Sequence, residues 1–391
     1  MANESPELEA TRRRLVIPLL GAAQILSWGT SFHLLAVFAA PIARDTGWPL
    51  ALVVAGGSIG LLCSGLAAPF VGSVIQRHGG RPTMAAGSVL IGLGLVAISL
   101  SSGPLAYLSG WALLGLGMSA SLYEAAFSTL GRIFGASARR AITNLTLIGG
   151  FASTICWPLS ALAIERLGWR DACLIYAAAN IALAAPALFM LLPRERPAGP
   201  VARPVASAVV SPAGGRAFYL LAAVLMLNGA IQTSLSIHLL TILQAQGMAL
   251  AAAVAVGALI GPVQVGARLA EILLGDRFHP TSTLAAAAGL TACGTALLAS
   301  GAPAALAIIV HAGGAGFWSI ARGTAPLALF GPERYPLVVG RLAMPTLIVQ
   351  AIAPFGAGLL LTAAGADATL ALLAVGAFLN GLMALALARG V

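Results

Sequence analysis

The sequence predicts an all-α membrane protein of about twelve transmembrane helices in two pseudo-symmetric six-helix bundles. Three observations carry that expectation: how little charge the chain has, how its apolar runs are cut, and how its two halves repeat. Of 391 residues, 59% are hydrophobic and 8% charged, against about 25% charged in a typical soluble domain. So few charges cannot solvate a globular surface of this size, and the natural solvent is lipid. A crossing helix needs about 20 largely apolar residues, which leaves room for about a dozen spans with short connections. The sparse aromatics (6%) and 46 glycines suit helices packed closely through small residues.

The apolar runs place helices at about 15–40, 50–75, 82–101, 104–131, 141–167, 172–192, 216–243, 250–275, 281–300, 303–330, 337–364 and 367–388. Turn-forming clusters mark the cuts: Gly47-Trp48-Pro49, Gly79-Gly80-Arg81-Pro82, Ser101-Ser102-Gly103-Pro104, Gly301-Ala302-Pro303 and Gly331-Pro332. The first run is too long for the core of a cleaved signal peptide and reads as a retained helix.

Charge sets the expected orientation. The net charge is +9 and the sequence contains no Lys. In a soluble protein that excess would suggest nucleic acid. Here the arginines fall between apolar runs, so no nucleic-acid partner is expected. With the N-terminus inside, sixteen of the 21 arginines lie on the cytoplasmic side and three, Arg44, Arg166 and Arg170, outside. Arg268 and Arg322 lie within helices. This is the positive-inside bias of a bacterial inner-membrane protein with both termini cytoplasmic.

Residues 1–14 read as a cytoplasmic tail, 15–192 as one bundle, 193–215 as a Pro-, Ala-, Gly- and Arg-rich cytoplasmic linker, and 216–391 as the second bundle. The halves repeat. Gly47 matches Gly247, and Gln76-Arg77 matches Asp276-Arg277, both at an offset of 200. Phe134-Gly135 matches Phe330-Gly331, and Pro158 matches Pro354, both at 196. A duplicated six-helix unit is an alternating-access design, with substrate bound near the midplane.

The loop between the second and third helices, Gly72-x-x-x-Gln76-Arg77-x-Gly79-Gly80-Arg81, resembles the signature loop of the major facilitator superfamily. Gln76 stands where that signature has Asp, and the second copy keeps the acid as Asp276-Arg277. The resemblance covers essentially the whole chain and implies the major facilitator fold, usually monomeric. It implies gate-loop roles for Gly72, Gln76, Arg77, Gly80, Arg81, Asp276 and Arg277. Within the superfamily, Asp45-Thr46-Gly47-Trp48, Pro158-Leu159 and Gly168-Trp169-Arg170 resemble the monocarboxylate and oxalate–formate branch. That branch often carries an acid and an arginine four apart in helix eight; here the pair is Gln264 and Arg268. The stretch 145–154 with Trp157-Pro158 is also similar to bacterial exporters that include arsenite efflux carriers.

Ionised side chains at helix centres cost about 2.5–3.5 kcal/mol, so those retained are candidate functional groups. Arg268 and Glu271, three apart on one face, read as substrate anchor and proton acceptor, or as a structural ion pair. His311, Trp318 and Arg322 share a stripe with Ala315 and suit a cavity wall. Tyr123 and Glu124 lie in the fourth helix, where Glu124 either carries a proton or braces the gate. Gln24, Ser27, Trp28 and Ser31 form a polar stripe on the first helix; Asn228, Gln232 and Ser236 form one on the seventh. His33 and His238 lie nearer the outer ends and read as structural.

The chain shows no P-loop, metal-ligand spacing or nucleophile elbow, so neither an ATP-driven pump nor an enzyme is expected, and no cofactor or metal. Cys63, Cys156, Cys173 and Cys293 show no disulfide framework. The expected function is secondary transport of a small, anionic, monocarboxylate-like solute, driven by protons. Glu124 or Glu271 would carry the proton. The substrate-binding set would be Arg268, Arg322, Trp318, His311, Asn228, Gln232, Gln24, Trp28 and Tyr123. The alternative is efflux of a small toxicant, an arsenite-type metalloid or a drug, with Cys63 and Cys156 as soft ligands. A sensor role is disfavoured because no sizeable soluble output domain is present.

Overall fold

The computed structural model describes residues 6–194, 212–274 and 277–390. Every regular element among them is helical. In chain order they are α1 (Pro6–Gly29), α2 (Leu35–Thr46), α3 (Leu50–His78), α4 (Gly80–Ser99), α5 (Pro104–Ser121) and α6 (Tyr123–Phe134). There follow α7 (Ala138–Gly149), α8 (Ala152–Ala178), a π-helical turn (Ala179–Ala184) and α9 (Ala185–Leu191). The second half holds α10 (Pro212–Ala245), α11 (Leu250–Ala258), α12 (Ile260–Leu274), α13 (Pro280–Ala299), α14 (Ala304–Phe330) and α15 (Tyr335–Arg389). Most of the expected linker, and Asp276 of the expected gate loop, lie outside the described residues.

Eight stretches among the described residues are long and apolar enough to cross a membrane. Two are far longer than one crossing needs and contain left-handed breaks. Gly168 (φ 85°) interrupts α8, and Gly365 (φ 84°) interrupts α15. Only glycine adopts that backbone without strain. The left-handed glycines recur in the two halves: Gly47 with Gly247, Gly135 with Gly331, Gly168 with Gly365. The duplication seen in the sequence is therefore also a duplication of chain reversals.

The chain divides into two compact units, Met1–Pro200 with Pro332–Met344, and Val201–Gly331 with Pro345–Val391. Each has its own apolar core. In the first, Phe38, Ile42, Tyr107, Trp111, Trp169 and Cys173 pack together; in the second, Leu239, Ile242, Leu298, Ile308 and Leu370 do. Small residues bring the helices into backbone contact: a Cβ on Gly115 of α5 would strike the carbonyl of Gly60 in α3. The surface, unlike that of a water-soluble protein, carries large apolar side chains, and polar side chains are buried within. Phe70, Leu105 and Leu273 are 71%, 81% and 79% exposed, while Gln24, Asn180, Asn228 and Asn380 are fully buried. Such a surface matches lipid, and such an interior needs hydrogen-bond partners.

Four helices depart from the expected runs: that expected at 15–40 is interrupted between Gly29 and Leu35, and that at 250–275 at Leu259. The fourth run, expected to be continuous over 104–131, breaks at Leu122, whose backbone is extended (φ −78°, ψ −167°). The run expected at 141–167 begins at Ala138 and is interrupted between Gly149 and Ala152.

Candidate functional site

In the first unit the polar stripe of α1 meets the break between α5 and α6. The break leaves the Ser121 carbonyl without its ordinary helical partner, and Gln24 Nε2 donates to it at 2.6 Å. Trp28 Nε1 in turn donates to Gln24 Oε1 at 3.0 Å. The Trp28 ring packs 5.0 Å from Tyr123, and Tyr123 stacks on Phe127 at 5.1 Å. Gln24, Trp28 and Tyr123, predicted separately from α1 and the fourth helix, thus form one cluster. Glu124 is half-buried in the first turn of α6. The positive end of the helix dipole favours a carboxylate there.

The second unit holds two polar networks. One is built on α12: Arg268, 7% exposed, donates from Nε to Ser319 Oγ at 2.9 Å and from Nη2 to Gln264 Oε1 at 3.3 Å. Gln264, which replaces the branch's acid, is thus an acceptor that orients the guanidinium. Glu271, one turn on and equally buried, accepts from Thr283 Oγ1 at 3.2 and 3.4 Å. The other network joins α10, α13 and α14. His311 Nε2 pairs with Gln232 Oε1 at 2.9 Å, and its Nδ1 with Thr295 Oγ1 at 3.2 Å. Gln232 Nε2 donates to Thr291 Oγ1 at 3.4 Å. The Thr295 hydroxyl also lies 2.7 Å from the Thr291 carbonyl. Its single proton can serve that carbonyl or His311, so the ring has a partner whether Nδ1 is bare or protonated. Trp318 is buried and Arg322 half-buried on the same helix.

Asn228 does not join Gln232. It accepts from Asn380 Nδ2 at 3.2 Å, linking α10 to the last part of α15. The first unit has a counterpart: Asn180 donates to Thr30 Oγ1 at 3.0 Å, linking the π-helical turn to the residue that follows α1. Asn180 and Asn380 are 200 residues apart, the offset of the repeat, and the sequence reading passed over both. That spacing, with two buried amides in otherwise apolar runs, is the signal that could have found them.

The gate-loop residues of the first unit are held by close approach and by helix ends. A Cβ on Gly72 would strike the Pro336 carbonyl, and one on Gly80 the Thr129 side chain. Gln76 Nε2 donates to the Glu333 carbonyl at 2.9 Å. Arg132, not singled out by sequence, donates to the terminal carbonyls of α3 at Ile75 (3.0 Å) and Gln76. A cation there also complements the helix dipole. Arg81 lies over the Phe189 ring at 4.9 Å, while Arg77 and Arg277 are exposed.

At the opposite end of the same unit, two of the three stretches that resemble the monocarboxylate branch meet. Asp45 accepts from Trp169 Nε1 at 2.9 Å and from Arg170, whose guanidinium lies 4.2 Å from the Trp169 ring centre. These bonds, Trp169's first, hold the Asp45 carboxyl below the usual carboxylate range. The thiols give no soft-ligand cluster: Cys156 Sγ bonds the Ile25 carbonyl at 3.5 Å and packs on Gly29, and Cys173 is buried in the core. His238 pairs with the Pro354 carbonyl at 2.9 Å, and His33 sits among Trp28, Phe32 and Trp157.

A model of the Major Facilitator Superfamily matches residues 20–321. Human monocarboxylate transporter 6 is 34% identical over 114 residues, 28% of this chain, and its mouse counterpart 36% over 112. These matches cover 22% and 23% of the two relatives' lengths. Among solved structures, the human organic anion transporter MFSD10 superposes with a TM-score of 0.76 at 16% identity, over 97% of this chain and all of that one. FucP in its outward conformation gives 0.72 at 13%, over 94% and 98%. At these identities the superpositions speak for the fold alone.

Proposed function

Since the chain belongs to the Major Facilitator Superfamily and is a multi-pass membrane transporter, we propose that it carries a small organic monoanion, coupled to protons. The observation that carries this reading is Arg268, a nearly buried cation whose guanidinium is oriented by Gln264 and Ser319. An apolar interior tolerates such a group where it has work to do. Planar guanidinium geometry suits a carboxylate. The matches to proteins named as monocarboxylate and organic anion transporters point the same way.

In this reading Arg322, Trp318, the Gln232–His311 pair and Asn228 serve the solute in the second unit, and the Gln24–Trp28–Tyr123 cluster serves it in the first. Glu271 or Glu124 takes the proton. Counting the breaks at Gly135, Gly168 and Gly365 as turns between spans, and α1 with α2 as the first span, the chain crosses twelve times. The arginine bias then puts both termini in the cytoplasm of a bacterial inner membrane. Alternating access between the two units moves the solute, and the working form is a monomer. Thiol-based export of an arsenite-type metalloid is the weaker reading, because Cys156 serves packing against Gly29.

Ligand-dependent thermal stabilisation of the purified protein tests this. A ligand bound only by the folded state raises the melting temperature. Short monocarboxylates are expected to stabilise the wild type and not Arg268→Ala. Stabilisation of both proteins alike by arsenite, a cationic drug or a neutral sugar would overturn the anion reading.

A further inference from the structure

Away from these networks, the second unit has a groove of about 510 Å³ lined by Arg216, Tyr219, Leu220 and Ala223 of α10 and by Leu382, Met383 and Ala386 of α15. The α10 residues follow positions i, i+3, i+4 and i+7, one helical face. On α15, Leu382 and Ala386 share a face that Arg389 continues one turn further. Since α10 begins and α15 ends here, both arginines stand at the same end of the groove. From Arg216 to Ala223 the apolar floor runs about 10 Å along the helix. Arg216 and Arg389 are exposed, and neither has an ion-pair partner among the described residues. No acidic residue occurs in α10, and Asp367 stands about 30 Å from Arg389 along its helix.

We infer that this groove binds an anionic phospholipid, with the phosphate on Arg216 and Arg389, the headgroup edge on Tyr219, and an acyl chain along Leu220, Ala223 and Met383. Charge decides the occupant. Among the described residues the charge lining the groove is Arg216, with Arg389 one turn beyond Ala386, and basic pockets between spanning helices select anionic headgroups. Tyr219 is 68% exposed and places an amphipathic ring at that level. The chain's own linker is a poor occupant, because Arg194, Arg196 and Arg203 outnumber its single acid, Glu195.

The full-length protein in mild detergent would be titrated with phosphatidylglycerol, phosphatidylcholine and glycerol phosphate, reading melting temperature and bound lipid by native mass spectrometry. Phosphatidylglycerol is expected to stay bound and raise the melting temperature, and the other two are not. Arg216→Glu should weaken phosphatidylglycerol binding at least about fivefold, the weight of one basic residue near a membrane surface. Its unliganded melting temperature should be unchanged. Leu220→Trp, which fills the groove and keeps the charge, should also weaken binding. Equal binding of phosphatidylcholine, or wild-type affinity in both variants, would overturn the site. Glycerol phosphate acting as well as the lipid would make it a free-anion site and refute the proposal.

Discussion

Replacing Asn380 with leucine isolates the interior polar chemistry of the second unit from any transport assay. Leucine keeps the branching at Cγ, so the change is mainly one of polarity. Asn380 and Asn228 are both fully buried and joined by one 3.2 Å bond. An interhelical hydrogen bond within a membrane protein contributes about 0.6 kcal/mol on average. Stranding the partner amide adds the larger part, about 1–3 kcal/mol for an unsatisfied buried group. Asn380→Leu should therefore cost about 1.6–3.6 kcal/mol, the sum of the two. Asn228→Leu/Asn380→Leu, which strands nothing, should return to within about 0.5 kcal/mol of wild type. Asn180→Leu in the first unit should cost less, because the Thr30 hydroxyl keeps its 2.8 Å bond to the Leu26 carbonyl. A double-mutant cycle on reversible unfolding in mixed detergent micelles measures all four free energies. Additive losses in the double variant would refute the reasoning, as would an Asn180→Leu cost equal to that of Asn380→Leu.

Gln76→Asp, which restores the residue usual in the superfamily loop, is expected to lower stability here: the shorter carboxylate has no hydrogen to give the Glu333 carbonyl. A melting temperature at or above wild type would contradict that. Gly29→Ala should destabilise through collision with Cys156 Sγ, and Cys156→Ala should rescue it, as read by thermal unfolding. Glu271→Gln should abolish proton-driven uptake yet keep substrate exchange, measured in vesicles with and without a pH gradient; Glu124→Gln run alongside assigns the proton to one of the two. The Asp45 bonds to Trp169 and Arg170 hold that carboxyl's pKa below its unfolded value. Their stabilisation is thus full above the ordinary carboxylate range near 4 and lost as pH falls through the folded value. Thermal stability should drop on strong acidification in wild type and less in Asp45→Asn.

How much of this was legible in the sequence depends on where the physical signal sits. Breaks made by glycine were readable: Gly47, Gly247, Gly168 and Gly365 sit at or beside expected turns, because their left-handed backbone needs that residue. The break at Leu122 was not, since nothing local forbids a helix there. It exists alongside a tertiary partner, Gln24, that takes the Ser121 carbonyl. The signature loop revealed Gly72 and Gly80 by resemblance, but their reason is a close approach to Pro336 and Thr129 that spacing cannot show. Polar stripes singled out Gln232 and His311 without showing that they bond each other. They did not show that Asn228 bonds Asn380, 152 residues away. Arg132 was legible only as a loop cation, and its bonds to the end of α3 are a matter of three-dimensional placement.

The anion-carrier reading rests on Arg268, and counterflow in proteoliposomes addresses it most directly. Vesicles loaded with an unlabelled short monocarboxylate are diluted into a trace of the same labelled compound. Rapid labelled uptake is expected in wild type, blocked by other monocarboxylates and not by sugars or arsenite. It should be absent in Arg268→Ala reconstituted to equal density. Undiminished exchange in Arg268→Ala, or exchange of a neutral solute in place of the carboxylate, would contradict it.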